Sequence, residues 1–296
     1  MSAPHASAGR LPTLSGWRQR RAERRKGFDR PRYLKLVLAG FLIWTFAPIA
    51  IVVLFSFNSS VSLQNFDGFS TQWYSEFFGD QQLRESLVAS LEIAAVTMVV
   101  ATTIGSLLAF GLVRARNRLS PVTNVMMLIP LVVPEIVAGV TALLLFTQIG
   151  MQLSLTTIML AHITFSISYV TVIVRGRLAA LNREVEEAAM DLGATRMQTM
   201  RLVVLPELWP AILAAGLLIF ALSFDDFVLS FFTTGESPQP LPVRIYSSIR
   251  FGVTPTINAI GTLMLALSLA TFALALALPR LLGRRGQTVL IGKDAV

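Results

Sequence analysis

Long apolar runs alternate with short polar gaps along this chain. Six runs are long enough to cross a bilayer: 34–57, 87–113, 122–149, 153–174, 211–232 and 257–282. A hydrocarbon core of ~30 Å needs about 20 apolar residues in helical form. The runs are continuous rather than alternating, which argues against a β-barrel. They predict an all-α membrane protein with six transmembrane helices. Pro48 predicts a kink in the first run, and Pro130 with Pro134 a bend or interruption in the third. The gap at 58–85 carries Asp67, Glu76, Asp80 and Glu85 against Arg84. Its Trp73 and Tyr74 suit a membrane interface, where a flat ring with a polar edge is stable. The gap at 233–256 is rich in proline and predicts one short amphipathic helix over 243–251.

Composition sharpens this picture. Of 296 residues, 54% are hydrophobic and only 14% charged, against about 25% charged in soluble domains. There is no cysteine, which excludes disulfides, thiol nucleophiles and cysteine metal sites. The net charge of +8 raises nucleic-acid binding, but the placement of the charge argues against it. Of 25 Lys and Arg, 22 fall in the N-terminal tail, the 114–118 turn, the 175–201 loop and the C-terminal tail; Arg84, Arg244 and Arg250 alone occupy the other gaps. Basic residues collect on the cytoplasmic side of a membrane. Both termini are therefore expected inside, which requires an even number of spans. The basic cluster at 18–35 then anchors topology on anionic lipid. The first run exceeds the length of a signal-peptide core and is followed by no small-x-small site, so it is expected to be retained. The expected organisation is a basic cytoplasmic tail at 1–33, a membrane domain at 34–283 with an inside loop at 182–209, and a cytoplasmic tail at 284–296.

The inside loop has its own architecture. Asn182 is a candidate N-cap for a helix through Leu192, with Glu184, Glu186 and Glu187 near its positive end. Gly193 suits a C′ position that needs φ > 0. A second helix is expected from about Thr195 to Leu205, with Pro206 and Pro210 resetting the chain direction before the fifth span. Two short helices at an angle make a rigid protrusion, and Ala188 and Ala189 give it a face that another protein can approach closely. The alternative is a solvated amphipathic linker.

Four carboxylates fall inside apolar runs: Glu92, Glu135, Asp225 and Asp226. Each costs about 2.5–3.5 kcal/mol at a helix centre on insertion scales. No Lys or Arg lies within the cores of these runs, so the acids are expected to face the bundle interior or a water-filled path. Counting inward at ~1.5 Å per residue puts Glu135 about 20 Å and Asp225 about 22 Å from the inside face. His162 falls at a comparable depth and is expected to hydrogen-bond between helices rather than to act as a ligand. Glu92 is close enough to the outside to snorkel to water. Neighbouring residues on a helix point ~100° apart, so one of Asp225 and Asp226 is expected to face a path while the other takes a partner subunit or a helix end. Ser223 lies one turn before Asp226 on a similar face. Acids without basic partners suit the passage of a cation; the alternative is a pair of carboxylates holding broken helices together.

Four stretches carry resemblances. Glu187-Ala188-Ala189, three residues, Gly193, nine residues, Val203, one residue, Leu205-Pro206 resembles the cytoplasmic coupling loop of bacterial ABC importer permeases, with Val203 where the family usually has Ile. The likeness implies the type I (MetI-like) permease fold in the bacterial inner membrane. It also implies a homologous second permease, two ATP-binding subunits that each receive one such loop, and an external substrate-binding protein. The chain has no G-x-x-x-x-G-K-[ST] motif, so ATP and Mg are expected on the partner ATPase, with no cofactor, metal or catalytic residue in this chain. The segments Ser223-Phe-Asp-Asp-Phe-Val, Leu241-Pro-Val-Arg-Ile-Tyr and Arg250-Phe-Gly-Val-Thr-Pro-Thr-Ile-Asn258 are similar to the second permease of spermidine/putrescine importers, the PotC type. That resemblance implies a polyamine path through Trp73, Glu135, Ser223, Asp225 and Asp226, with Glu135 where the family often has Asp. Permeases for other organic cations, opines or thiamine share parts of these motifs. A secondary transporter or cation channel is the rival reading, and it has no need of the loop.

Overall fold

The computed structural model describes residues 32–283, except 63, 115–119, 237, 251 and 253. Residues 1–31 of the tail expected at 1–33, all of the tail expected at 284–296, and most of the basic turn after Arg114 lie outside the described residues. The chain divides into two compact units, residues 1–51 and 52–296. The first consists, among the described residues, of most of helix α1 (Arg32–Phe55), which continues through Pro48 as one helix.

Among the described residues, the regular elements of the second unit are all helical. In order these are α2 (Gln72–Gly79), α3 (Gln81–Arg114), α4 (Ser120–Val132), α5 (Glu135–Gln148), α6 (Leu155–Ala179), α7 (Arg183–Asp191), α8 (Arg196–Thr199), a π-helical turn (Met200–Val204), α9 (Leu205–Asp225), α10 (Val228–Thr233), α11 (Leu241–Ile249) and α12 (Pro255–Gly283). Helix α9 packs against α3, α6 and α12, and α3 packs most extensively on α6. Two apolar clusters hold the unit together. One joins Ala101, Val170, Val174, Leu208 and Ile219; the other joins Phe77, Ala94, Phe224, Leu241 and Ile260. Lipid supplies no hydrophobic force between helices, so close packing must do the work, and small residues permit it. At Gly105 a Cβ would stand 2.7 Å from Val170 Cβ and 2.9 Å from the Ile167 carbonyl oxygen. The Thr171 hydroxyl donates to the Gly105 carbonyl across the same contact at 3.2 Å.

Five described helices are long and apolar enough to cross a membrane, and α4 with α5 forms a sixth candidate bent by 106°. The expected interruption falls at Pro134, whose ring removes an N–H and disfavours helical geometry at Val133. Its size corrects the inward count for Glu135, because a span that turns this sharply does not gain depth evenly with residue number.

Two further expectations are corrected. The fifth span is not one helix over 211–232: α9 stops at Asp225 and α10 starts at Val228. No Gly or Pro causes that break. The Asp226 carboxylate accepts the Leu229 backbone N–H at 2.9 Å, a local bond that competes with the helix. The loop also does not turn at Pro206. A single apolar helical run continues over Arg196–Asp225. The π-turn widens the backbone, with the Leu205 N–H bonded to the Met200 carbonyl, just before Pro206 would meet the carbonyl four residues back.

Candidate functional site: an acidic cavity between helices and the 182–209 loop

The two broken spans meet at a cavity of about 690 Å³, lined by Glu135, His162, Ser223, Asp225 and Asp226 together with Phe165, Tyr169, Phe227, Ser268 and Phe272. Glu135 is the first residue of α5, directly after the bend. Asp225 ends α9, and Asp226 follows in extended backbone. Asp225 accepts a hydrogen bond from Ser268 of α12 at 2.5 Å. Asp226 takes the head of α10 through Leu229 and lines the cavity together with Glu135. The helix break resolves the expected divergence of Asp225 and Asp226: both line the cavity, and Asp226 also serves the helix end.

His162 is buried between helices, as expected. Its Nδ1 is 2.8 Å from Ser223 Oγ, its Nε2 is 3.1 Å from Ser230 Oγ, and Asp226 Oδ2 is 4.0 Å from Nε2. Ser223 therefore lines the cavity with its hydroxyl already engaged. Trp73 does not line it. The indole is buried in α2 and donates to the Asn58 carbonyl at 2.6 Å, while Asn58 organises the loop through Ser62, Asn65 and Asp67. Glu92 is exposed on α3 beside a separate hollow with Arg84 and Glu85. Sequence reasoning missed Ser268 and Ser230. Both are polar residues in apolar runs, and polar residues there usually bond across helices.

The arrangement can hold an ammonium group. Carboxylates stand on two elements, no Lys or Arg is among the residues lining the cavity, and aromatic faces of Phe165, Tyr169, Phe227 and Phe272 supply apolar and cation–π surface.

The second site is the loop. Asn182 caps α7, its side chain accepting the Glu184 N–H at 3.0 Å. Gly193 has a φ of +92°. Its N–H bonds the Met190 carbonyl at 2.9 Å and the Ala194 N–H bonds the Ala189 carbonyl at 3.1 Å, a complete Schellman motif. Thr195 and Gln198 form a reciprocal capping box that starts α8. Glu187 and Ala188 are exposed, Ala189 and Leu205 half-buried, and Pro206 exposed. Arg114 at the end of α3 grips Glu186 of α7 at 2.6 Å. Leu192 is 90% exposed and Met197 73%, which leaves large apolar side chains uncovered beside Gly193.

Comparison with known proteins agrees with this geometry. The family model described as "Binding-protein-dependent transport system inner membrane component" matches residues 101–286. The chain is 40% identical over 242 residues to the putrescine transport system permease protein PotI of Escherichia coli K12, covering 79% of this chain and 86% of that protein. It is 39% identical over 239 residues to the spermidine/putrescine transport system permease protein PotC of the same strain, covering 79% and 90%. A solved bacterial ABC transporter involved in import of the acidic polysaccharide alginate shares the fold, with a TM-score of 0.67 at 13% identity over 90% of this chain and 100% of that one.

Proposed function

Because the chain belongs to the binding-protein-dependent inner-membrane components, the multi-pass permease subunits of ABC importers, we propose that its cargo is a polyamine of the spermidine or putrescine type. The cargo passes through the acidic cavity, and the 182–209 loop couples its movement to separate ATPase subunits. The observation that carries this reading is the meeting of Glu135, Asp225 and Asp226 in one cavity whose lining includes no basic residue. Intramembrane carboxylates are costly, and a polyammonium cargo is the partner that offsets them during transit. The names of the PotI and PotC relatives point to the same cargo class.

In the full assembly the chain pairs with a homologous second permease, two ATP-binding subunits and an external binding protein. Six spans leave both termini cytoplasmic, with the domain limits 1–33, 34–283 and 284–296. Glu187, Ala188, Ala189, Gly193, Leu205 and Pro206 form the lever that enters a cleft of the ATPase. ATP binding draws two such loops together and opens the path outward; hydrolysis resets it. Ser223 contributes by holding His162 at the cavity wall, and Trp73 by fixing, through Asn58, the loop that precedes α2.

The test is uptake of labelled putrescine, spermidine and an unrelated solute by cells carrying Asp225→Asn, Asp226→Asn or both. Asparagine keeps size and most hydrogen bonding while removing the charge. Uptake per transporter is expected to fall at least tenfold in the double variant, with abundance in the membrane unchanged or raised. Normal uptake at normal abundance refutes the cavity as the cargo path. Loss of an unrelated organic cation in place of the polyamines refutes the cargo class alone.

A further inference from the structure

We infer that His162 is a positioning residue for transport: it clasps the broken fifth span and thereby sets two of the carboxylates that line the cavity, Asp226 and Glu135. The inference rests on the reading of that cavity as the cargo path.

The break between α9 and α10 is the starting point. A helix interruption within a membrane leaves carbonyls at one end and N–H groups at the other without ladder partners. The Asp226 carboxylate covers one such donor, at Leu229. What spans the gap itself is the imidazole of His162, reaching in from α6. One ring nitrogen bonds Ser223 in the last turn of α9 at 2.8 Å, and the other bonds Ser230 in the first turn of α10 at 3.1 Å. The ring is 2% exposed, so these bonds face little competition from water. A neutral imidazole offers one donor and one acceptor, and a serine hydroxyl can play either part. Either tautomer therefore satisfies both contacts. The ring is rigid, so a bond made at both nitrogens fixes the spacing of the two half-helices.

That spacing governs both acids. Asp226 lies inside the clasped segment, its Oδ2 4.0 Å from Nε2 of the same ring. Glu135 belongs to α5, and α5 packs on α10. The contact is tight: a Cβ on Gly139 would stand 2.7 Å from Phe232 Cδ2. A shift of α10 therefore moves α5, and with it Glu135 at the first position of that helix. His162 reaches the cargo through other residues and is not itself offered as a ligand. Its effect is on how well the carboxylates hold an ammonium group while the ATPases cycle.

The experiment uses the complete transporter in proteoliposomes, with its binding protein loaded with labelled putrescine. The readout is putrescine imported per ATP hydrolysed, which a simple loss of assembled complex does not change. His162→Phe keeps the ring shape and removes both bonds; the ratio is expected to fall about tenfold, the scale of one buried hydrogen bond or slightly more. His162→Gln retains a donor and an acceptor and is expected within about threefold of the parent on the same scale. Ser230→Ala removes one bond with little change in volume and is expected to fall severalfold. Combining it with His162→Phe is expected to add nothing, because both changes break one clasp. An unchanged ratio in His162→Phe, equal loss in Phe and Gln, or additive loss in the double variant overturns the inference. If His162→Phe fails to assemble, an unchanged ratio in Ser230→Ala does so. Uptake by the Asp225→Asn, Asp226→Asn double variant is measured alongside. Normal uptake there sinks the cargo-path reading itself, whereas a fall there with normal His162 variants sinks this inference alone.

Discussion

Gly193 offers a clean perturbation of the proposed coupling loop, because the cost of a side chain there can be assigned to the backbone alone. The residue sits at φ +92° at the C′ position of α7, and a Cβ built on it meets nothing within 4 Å. Substitution therefore creates no clash, only the penalty of left-handed geometry. That penalty is roughly 1–2 kcal/mol for an ordinary L-residue, less for asparagine and more for a β-branched one. A factor of ten in an equilibrium corresponds to about 1.4 kcal/mol. Gly193→Asn is then expected to leave ATPase association within about threefold of the parent, Gly193→Ala to weaken it about five- to thirtyfold, and Gly193→Val to weaken it further. The assay is titration of the ATPase subunit onto purified permease in detergent, paired with polyamine uptake in cells. Membrane abundance is expected to stay level across the series, since the position is exposed and outside the spans. Normal association for Gly193→Val refutes the loop as the docking lever. Equal loss for Asn, Ala and Val refutes the backbone argument, because it means that the ATPase contacts the glycine face directly and rejects any side chain.

The α3–α6 contact predicts a contrast between two glycines on one helix. Gly105→Ala drives a Cβ to 2.7 Å from Val170, whereas Gly111→Ala meets nothing within 4 Å; the first is expected to destabilise by about 1–3 kcal/mol and the second to be neutral or slightly stabilising. Thermal unfolding of the detergent-purified chain checks this, and similar melting of the two variants contradicts the packing argument. For topology, reporters fused after Gln64 and Pro238 are expected to read outside, and one after Met190 inside. An inside reading at Pro238 removes the last two spans.

Much of the fold was legible because bilayer length and backbone satisfaction leave few choices. The apolar runs gave the long helices, Pro134 announced the break in the third span, and Asn182 with Gly193 bounded α7 from side-chain chemistry alone. The second helix of the loop was misread at Pro206. Proline usually ends a helix, and nothing in the local sequence announces that a π-turn at Met200–Val204 will absorb its ring. The break at Asp226 was missed for a related reason. The apolar run continues past it, and an aspartate interrupts a helix only when its carboxylate turns back onto the backbone, as it does here toward Leu229. At the site, residue types were legible and partners were not. Ser268 lies 43 positions from Asp225, and Ser230 lies 68 from His162, so only tertiary packing could reveal those pairs.

The coincidence of charge and broken backbone has a physical logic. Either feature alone is costly in lipid: a carboxylate lacks solvation, and a helix break leaves polar groups without partners. Set together they offset one another. Asp226 supplies an acceptor to a stranded N–H, the shortened helices make room for a cavity, and the cavity gives Asp225 and Glu135 somewhere other than lipid to face. The α5–α10 contact at Gly139 then ties the two breaks into one unit, so neither bend can relax without disturbing the other. On the proposed reading, such a unit offers a cationic cargo carboxylates borne by two different spans.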